Sequence, residues 1–109
     1  MTFNEYQEKA ILFADYPILG KGFVYPSLGL AGEAGEVCEK IKKIMRDEDG
    51  TIDIFSRKEI AKELGDVLWY INAIASELGI TLSKVAQLNL EKLELRLKTN
   101  TIHGSGDNR

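Results

Sequence analysis

Glu33 and Glu36 stand three residues apart, as do Glu63 and Asp66, and that spacing puts each pair on one face of a helix. Carboxylates crowded beside a core repel one another and lose hydration, and a divalent cation removes both penalties. Oxygen donors with no histidine or cysteine among them suit magnesium, manganese or calcium better than zinc or copper. One Glu-x-x-Glu alone would mean little, because acids are common on solvated helix faces. Here the two pairs sit inside a repeat. LAGEAGEVCEKIKKI from Leu30 aligns with IAKELGDVLWYINAI from Ile60 at a constant offset of thirty, with identity at Ala31/Ala61, Glu33/Glu63, Gly35/Gly65, Val37/Val67, Ile41/Ile71 and Ile44/Ile74. Two helices with one pattern and a short connection pack as an antiparallel pair with approximate twofold symmetry. That symmetry predicts Glu33 and Glu36 opposite Glu63 and Asp66.

The elements that must carry these acids follow from periodicity. On a wheel of about 100° per residue, Ile60, Leu64, Val67, Ile71, Ile74 and Leu78 fill one arc, and Glu63 and Asp66 lie along its edge. Leu30, Ala34, Val37, Ile41 and Ile44 stand in the same way to Glu33 and Glu36. A first helix is expected from Phe3 to about Asp15, stopped by Tyr16-Pro17. ILGKGFVYPS reads as a loop, and a second helix runs from about Ser27 to Asp47, ending at the turn pair Asp49-Gly50. Ser56 to Glu59 reads as a capping box opening a third helix that ends near Leu78, with Gly79 as its cap. Thr81 caps a fourth, to about Lys98. The fold class is all-α: one domain over residues 1–109, four helices in a bundle, with 98–109 as a flexible tail. Gly32, Gly35 and Gly65 lie inside helices, where each costs about 1 kcal/mol against alanine, so those positions need close backbone approach or empty space.

Cations on neighbouring turns can meet an anionic ligand. Lys40 and Lys43 lie on the Glu33/Glu36 side of the second helix, and Lys92 and Arg96 are one turn apart on the fourth. Tyr70, four residues past Asp66, is a candidate contact for a ring. Trp69 falls off the main apolar arc and is expected at a subunit interface, and Cys38 is expected as a small core residue. No GxxxxGK[ST] loop is present, and GLAGEAG lacks both the GxG and the preceding strand of a dinucleotide fold. The single histidine, His103, stands among tail glycines, which leaves no Ser/His/Asp or Cys/His set. A carboxylate-bridged di-iron site would add histidines that the second and third helices lack.

These residues resemble a family. Glu33-Ala34-Gly35-Glu36 followed by Glu63-Leu64-Gly65-Asp66 is similar to the Glu-x-x-Glu…Glu-x-x-Asp signature of MazG-like nucleotide pyrophosphohydrolases, and Asn89-Leu90-Glu91-Lys92-Leu93 resembles that family's Asn-x-x-Lys-Leu run, with Arg96 one turn on. The likeness covers about Leu28 to Arg96. It implies an all-α, Mg²⁺-dependent enzyme, with Mn²⁺ as a substitute, that splits nucleoside triphosphates into monophosphate and pyrophosphate. The implied metal ligands are Glu33, Glu36, Glu63 and Asp66, with Glu33 or Glu36 orienting water. The implied substrate contacts are Lys43, Tyr70, Asn89, Lys92 and Arg96. It also implies a homodimer or homotetramer that completes the bundle.

Composition agrees with a globular chain of this kind. At 109 residues with 44% hydrophobic and 28% charged residues, there is material for one modest core. A net charge of −3 argues against generic binding to polymeric nucleic acid or anionic lipid, and such a site can hold a triphosphate only with cations. One cysteine forms no internal disulfide, and MTFNEYQEKA has acids where a signal peptide has a basic start, so a cytoplasmic setting is expected. The competing class is a non-catalytic helical interaction module whose acids bind a structural cation.

Overall fold

The computed structural model describes residues 1–18 and 22–109. Helix α1 spans Phe3–Ala10 and tightens into a 3₁₀ turn at Ile11–Phe13, α2 spans Val24–Asp47, α3 spans Ile54–Glu77, and α4 spans Leu82–Lys98. Among the described residues there is no strand, and the all-α expectation holds.

Local chemistry sets most of the ends. Thr2 and Glu5 form a reciprocal capping box at the start of α1, with Glu5 N donating to Thr2 Oγ1 at 3.1 Å and Thr2 N to Glu5 Oε2 at 3.3 Å. At the end of α3, Gly79 takes φ +69°, its N–H bonds Ser76 O, and Ile80 N bonds Ala75 O, the two-bond Schellman closure that favours glycine. Thr81 Oγ1 accepts from Lys84 N at 3.1 Å to open α4. Asp49 and Gly50 turn the chain with positive φ after α2.

Three boundaries differ from expectation. α1 gives up α geometry at Ala10, five residues early, although the chain still stops before Tyr16-Pro17. α2 begins at Val24, not Ser27, because Pro26 falls in the first turn, where a missing N–H leaves no helical bond unmade. α3 begins at Ile54: Asp53 is the cap, and its Oδ1 accepts from Ser56 N at 2.7 Å. Ser56 therefore donates from within the helix and caps nothing.

The most extensive contact in the molecule joins α2 to α3, which are of equal length and linked by residues 48–53. Ile44 is buried in their seam, and Leu30, Val37, Ile60, Val67, Ile71 and Ile74 are half-buried. α1 packs on α3 and on α4. Gln7 locks that junction, its amide donating to Ile80 O at 3.0 Å and to Ser76 Oγ at 3.3 Å while its carbonyl accepts from Leu82 N at 3.0 Å. Trp69, expected at a subunit interface, donates to Ala10 O at 3.1 Å and sets its ring edge-on to Tyr16, so within the single chain it packs half-buried against the N-terminal segment. Cys38 is exposed in the single chain, contrary to its expected place in the core. Gly32, Gly35 and Gly65 face open space.

Candidate metal centre

The thirty-residue repeat places like residues opposite one another, and the acids meet where the two helices cross. Glu33 from α2 and Glu63 and Asp66 from α3 each offer a carboxylate oxygen, and the three oxygens lie within 4.8 Å of one another. Glu33 and Glu63 are half-buried and Asp66 is exposed, so the cluster opens to solvent on one side. Loss of hydration, then the charges of Asp66, Glu63 and Glu36, push the Glu33 carboxyl above its ordinary value. Lys40 reaches across from α2, its Nζ 3.7 Å from Glu63 Oε1. One ammonium against three carboxylates leaves an excess of negative charge. Hard oxygen donors in such surplus fit a divalent cation that takes oxygen ligands.

Glu36 lies one turn along from Glu33, exposed and outside the three-oxygen group, yet near enough for its charge to act on Glu33. The structure thus gathers three of the four acids and leaves Glu36 at their side.

An aromatic group borders the acids. Tyr70 sits over Gly29, where any Cβ would overlap its ring. Its hydroxyl is raised by burial first and further by the neighbouring Tyr25, Glu33 and Asp66, and a hydrogen bond links it to Tyr25. Trp69 meets Tyr70 edge-on at 5.1 Å, and Tyr16 and Tyr25 stack at 5.4 Å with planes 8° apart. Tyr16 donates to Glu77 Oε1 at 2.7 Å; burial and that bond push its pKa up to about 12. From the far side, burial and the Asp66 charge also raise the Tyr6 hydroxyl.

The other sequence-predicted contacts lie elsewhere. Lys43 lines a groove of about 180 Å³ with Lys40, Asp47, Glu59 and Phe55, toward the far end of the pair. Asn89 is exposed on α4. Lys92 and Arg96 turn to their own C-terminal tail: Lys92 Nζ lies 3.1 Å from Asp107 Oδ1, and Arg96 Nη2 bonds Gly106 O, Asp107 O and Asp107 Oδ1 at 3.2–3.3 Å. Arg96 is buried, with its Nε unpartnered. Arg109 folds back on the carbonyls of Thr101 and Ile102. The sequence reading missed Tyr25 and Asp107. Tyr25 had a signal, since Tyr25, Gly29 and Glu33 fall on one stripe of α2 once the helix is known to start at Val24.

Comparison with known proteins decides the family. The model of the MazG nucleotide pyrophosphohydrolase domain matches residues 27–101. The chain belongs to the MazG family. Its match spans α2, α3 and α4, including all four motif acids and the Asn89–Lys92 run. The Gene 37 protein of Mycobacterium phage L5 is 47% identical over 114 residues, an alignment that covers the whole of both chains. No solved structure matches. Among the described residues, no helix is long and apolar enough to cross a membrane.

Proposed function

We propose that this MazG-family chain is a Mg²⁺-dependent hydrolase that cuts nucleoside or deoxynucleoside triphosphates to monophosphate and pyrophosphate, clearing nucleotides from the pool. The observation that carries this reading is the convergence of Glu33, Glu63 and Asp66 within 4.8 Å across two repeated helices. Glu33, Glu63 and Asp66 would hold a divalent cation, and such a cation, when bound, would screen the phosphates and favour attack by water at the α-phosphorus. Glu36, exposed at their edge, is placed to orient the attacking water and take its proton. Tyr70, seated over Gly29, borders the site with its ring. Lys92 and Arg96 are engaged with Asp107 in their own chain, so these two meet the charge growing on the leaving pyrophosphate only if that contact opens or a second copy supplies them, which leaves Lys40 as the basic group beside the acids.

Incubation with mixed nucleoside triphosphates and Mg²⁺ in ¹⁸O-labelled water tests this reading. The expected products are labelled monophosphate and unlabelled pyrophosphate, with Mn²⁺ able to replace Mg²⁺. Glu36→Gln, Glu63→Gln and Asp66→Asn are each expected to lower turnover by at least ~100-fold with helical content intact. Label in orthophosphate would mean that the site works on the γ-phosphate, and no turnover by a folded wild-type protein would leave the interaction-module reading in its place.

A further inference from the structure

The aromatic stack beside the acids ends on an exposed ring. Tyr16 is 8% exposed and held by Glu77 on one side and by the Trp69 edge on another, whereas Tyr25, stacked parallel on it, is 44% exposed. Tyr25 is therefore the outer, more exposed plane of a stack whose inner ring is buried and hydrogen-bonded. Its place along α2 is set by the stripe Tyr25–Gly29–Glu33: eight residues separate Tyr25 from Glu33, about 12 Å of axial rise. Tyr70 lies over Gly29 between them and bonds Tyr25, which fixes the ring relative to the acid cluster. That span matches a nucleotide whose phosphates sit on the acids and whose base lies one sugar further out.

We propose that Tyr25 is the base platform of the site, its open ring face stacking the nucleobase of the triphosphate in continuation of the Tyr16–Tyr25 stack. This rests on the reading of Glu33, Glu63 and Asp66 as the triphosphate-holding cluster and adds the residue that recognises the rest of the substrate. Stacking on a ring accepts any base face, and selectivity arises from how well each base overlaps it. The Tyr25 hydroxyl, tied to Tyr70, holds the ring in plane with Tyr16 and takes no part in the reaction.

The test compares a ligand with a base to one without. Wild type, Tyr25→Leu and Tyr25→Phe are titrated by calorimetry, with Mg²⁺, against inorganic tripolyphosphate and against a nucleoside triphosphate carrying a methylene between its α and β phosphorus atoms. Tyr25→Leu is expected to bind the nucleotide roughly 5- to 150-fold more weakly, the range of one lost base–aromatic stack. It is expected to bind tripolyphosphate as wild type does, which also certifies its fold. Tyr25→Phe is expected to keep most of the nucleotide affinity. Equal weakening toward both ligands, or no weakening toward the nucleotide, overturns the platform. A wild type that binds tripolyphosphate as tightly as the nucleotide overturns it too, while leaving the triphosphate cluster standing. A wild type that binds neither ligand overturns the cluster reading, and this one with it.

Discussion

Among single residues, Glu33 is the most informative because its neighbours oppose its charge. It meets the charges of Asp66, Glu63 and Glu36, with Lys40 the cation that bridges to this group among the described residues, and its carboxyl is held above the ordinary value of 4.5. A folded state that holds the proton more tightly than the unfolded chain gains stability from it below that value and loses the gain as pH rises through the folded value. Protein stripped of cations by a chelator is therefore expected to lose stability as pH climbs above about 4.5. Glu33→Gln should flatten that slope and stand above wild type at neutral pH, and Mg²⁺ should reverse the order. Thermal melts across pH, with and without Mg²⁺, check all three. The meeting of Glu33, Glu63 and Asp66 was legible in the repeat, since equal offsets on packed helices bring like positions together. Tyr25 was not legible as a site residue, because Pro26 made its segment read as a loop.

Helix ends show the same contrast between local and tertiary signals. Gly79, Thr81 and the Asp49-Gly50 turn could be read from sequence because each closure uses bonds within a few residues. The start of α3 was misread because two capping residues, Asp53 and Ser56, stand three apart, and the choice falls to whichever lets Ser56 be buried. No periodicity predicts the Gln7 clasp, which ties residues more than seventy positions apart. Gln7 is the bolt between α1, the end of α3 and the start of α4. Gln7→Ala leaves Ile80 O and Leu82 N without a partner at a half-buried joint and is expected to cost about 1–3 kcal/mol. Denaturant melts give the size. Ser76 stands ten residues beyond Asp66 along α3, so cation binding by the folded variant should match wild type.

The molecule as a whole has more surface than its mass warrants. A monomer of 12.2 kDa is expected to expose about 6,000 Å², and a domain of this length to have a radius of gyration near 13 Å. The single chain exposes 8039 Å² and has a radius of gyration of 16.6 Å. The excess is apolar and organised. Leu88, Leu90, Leu93, Leu95 and Leu97 are all at least 40% exposed on α4, too many sides of one helix to be left to water. Ile41, Ile52, Ile60, Ala61 and Leu64 of the α2–α3 pair line, together with Arg57, a mostly apolar groove of about 400 Å³, and Gly65 leaves open space next to it. A second copy of the same pair would fill that groove, dry the cluster on its solvent side and make a dimer or a dimer of dimers. Sedimentation at micromolar concentration is expected to give at least twice the 12.2 kDa chain mass. Leu64→Glu, which puts a charge at 53% exposure on the groove and touches none of the cluster acids' bonds, is expected to shift the protein toward the single chain and to lower turnover with it. A wild type that sediments as a stable single chain would mean that the exposed leucines have another use.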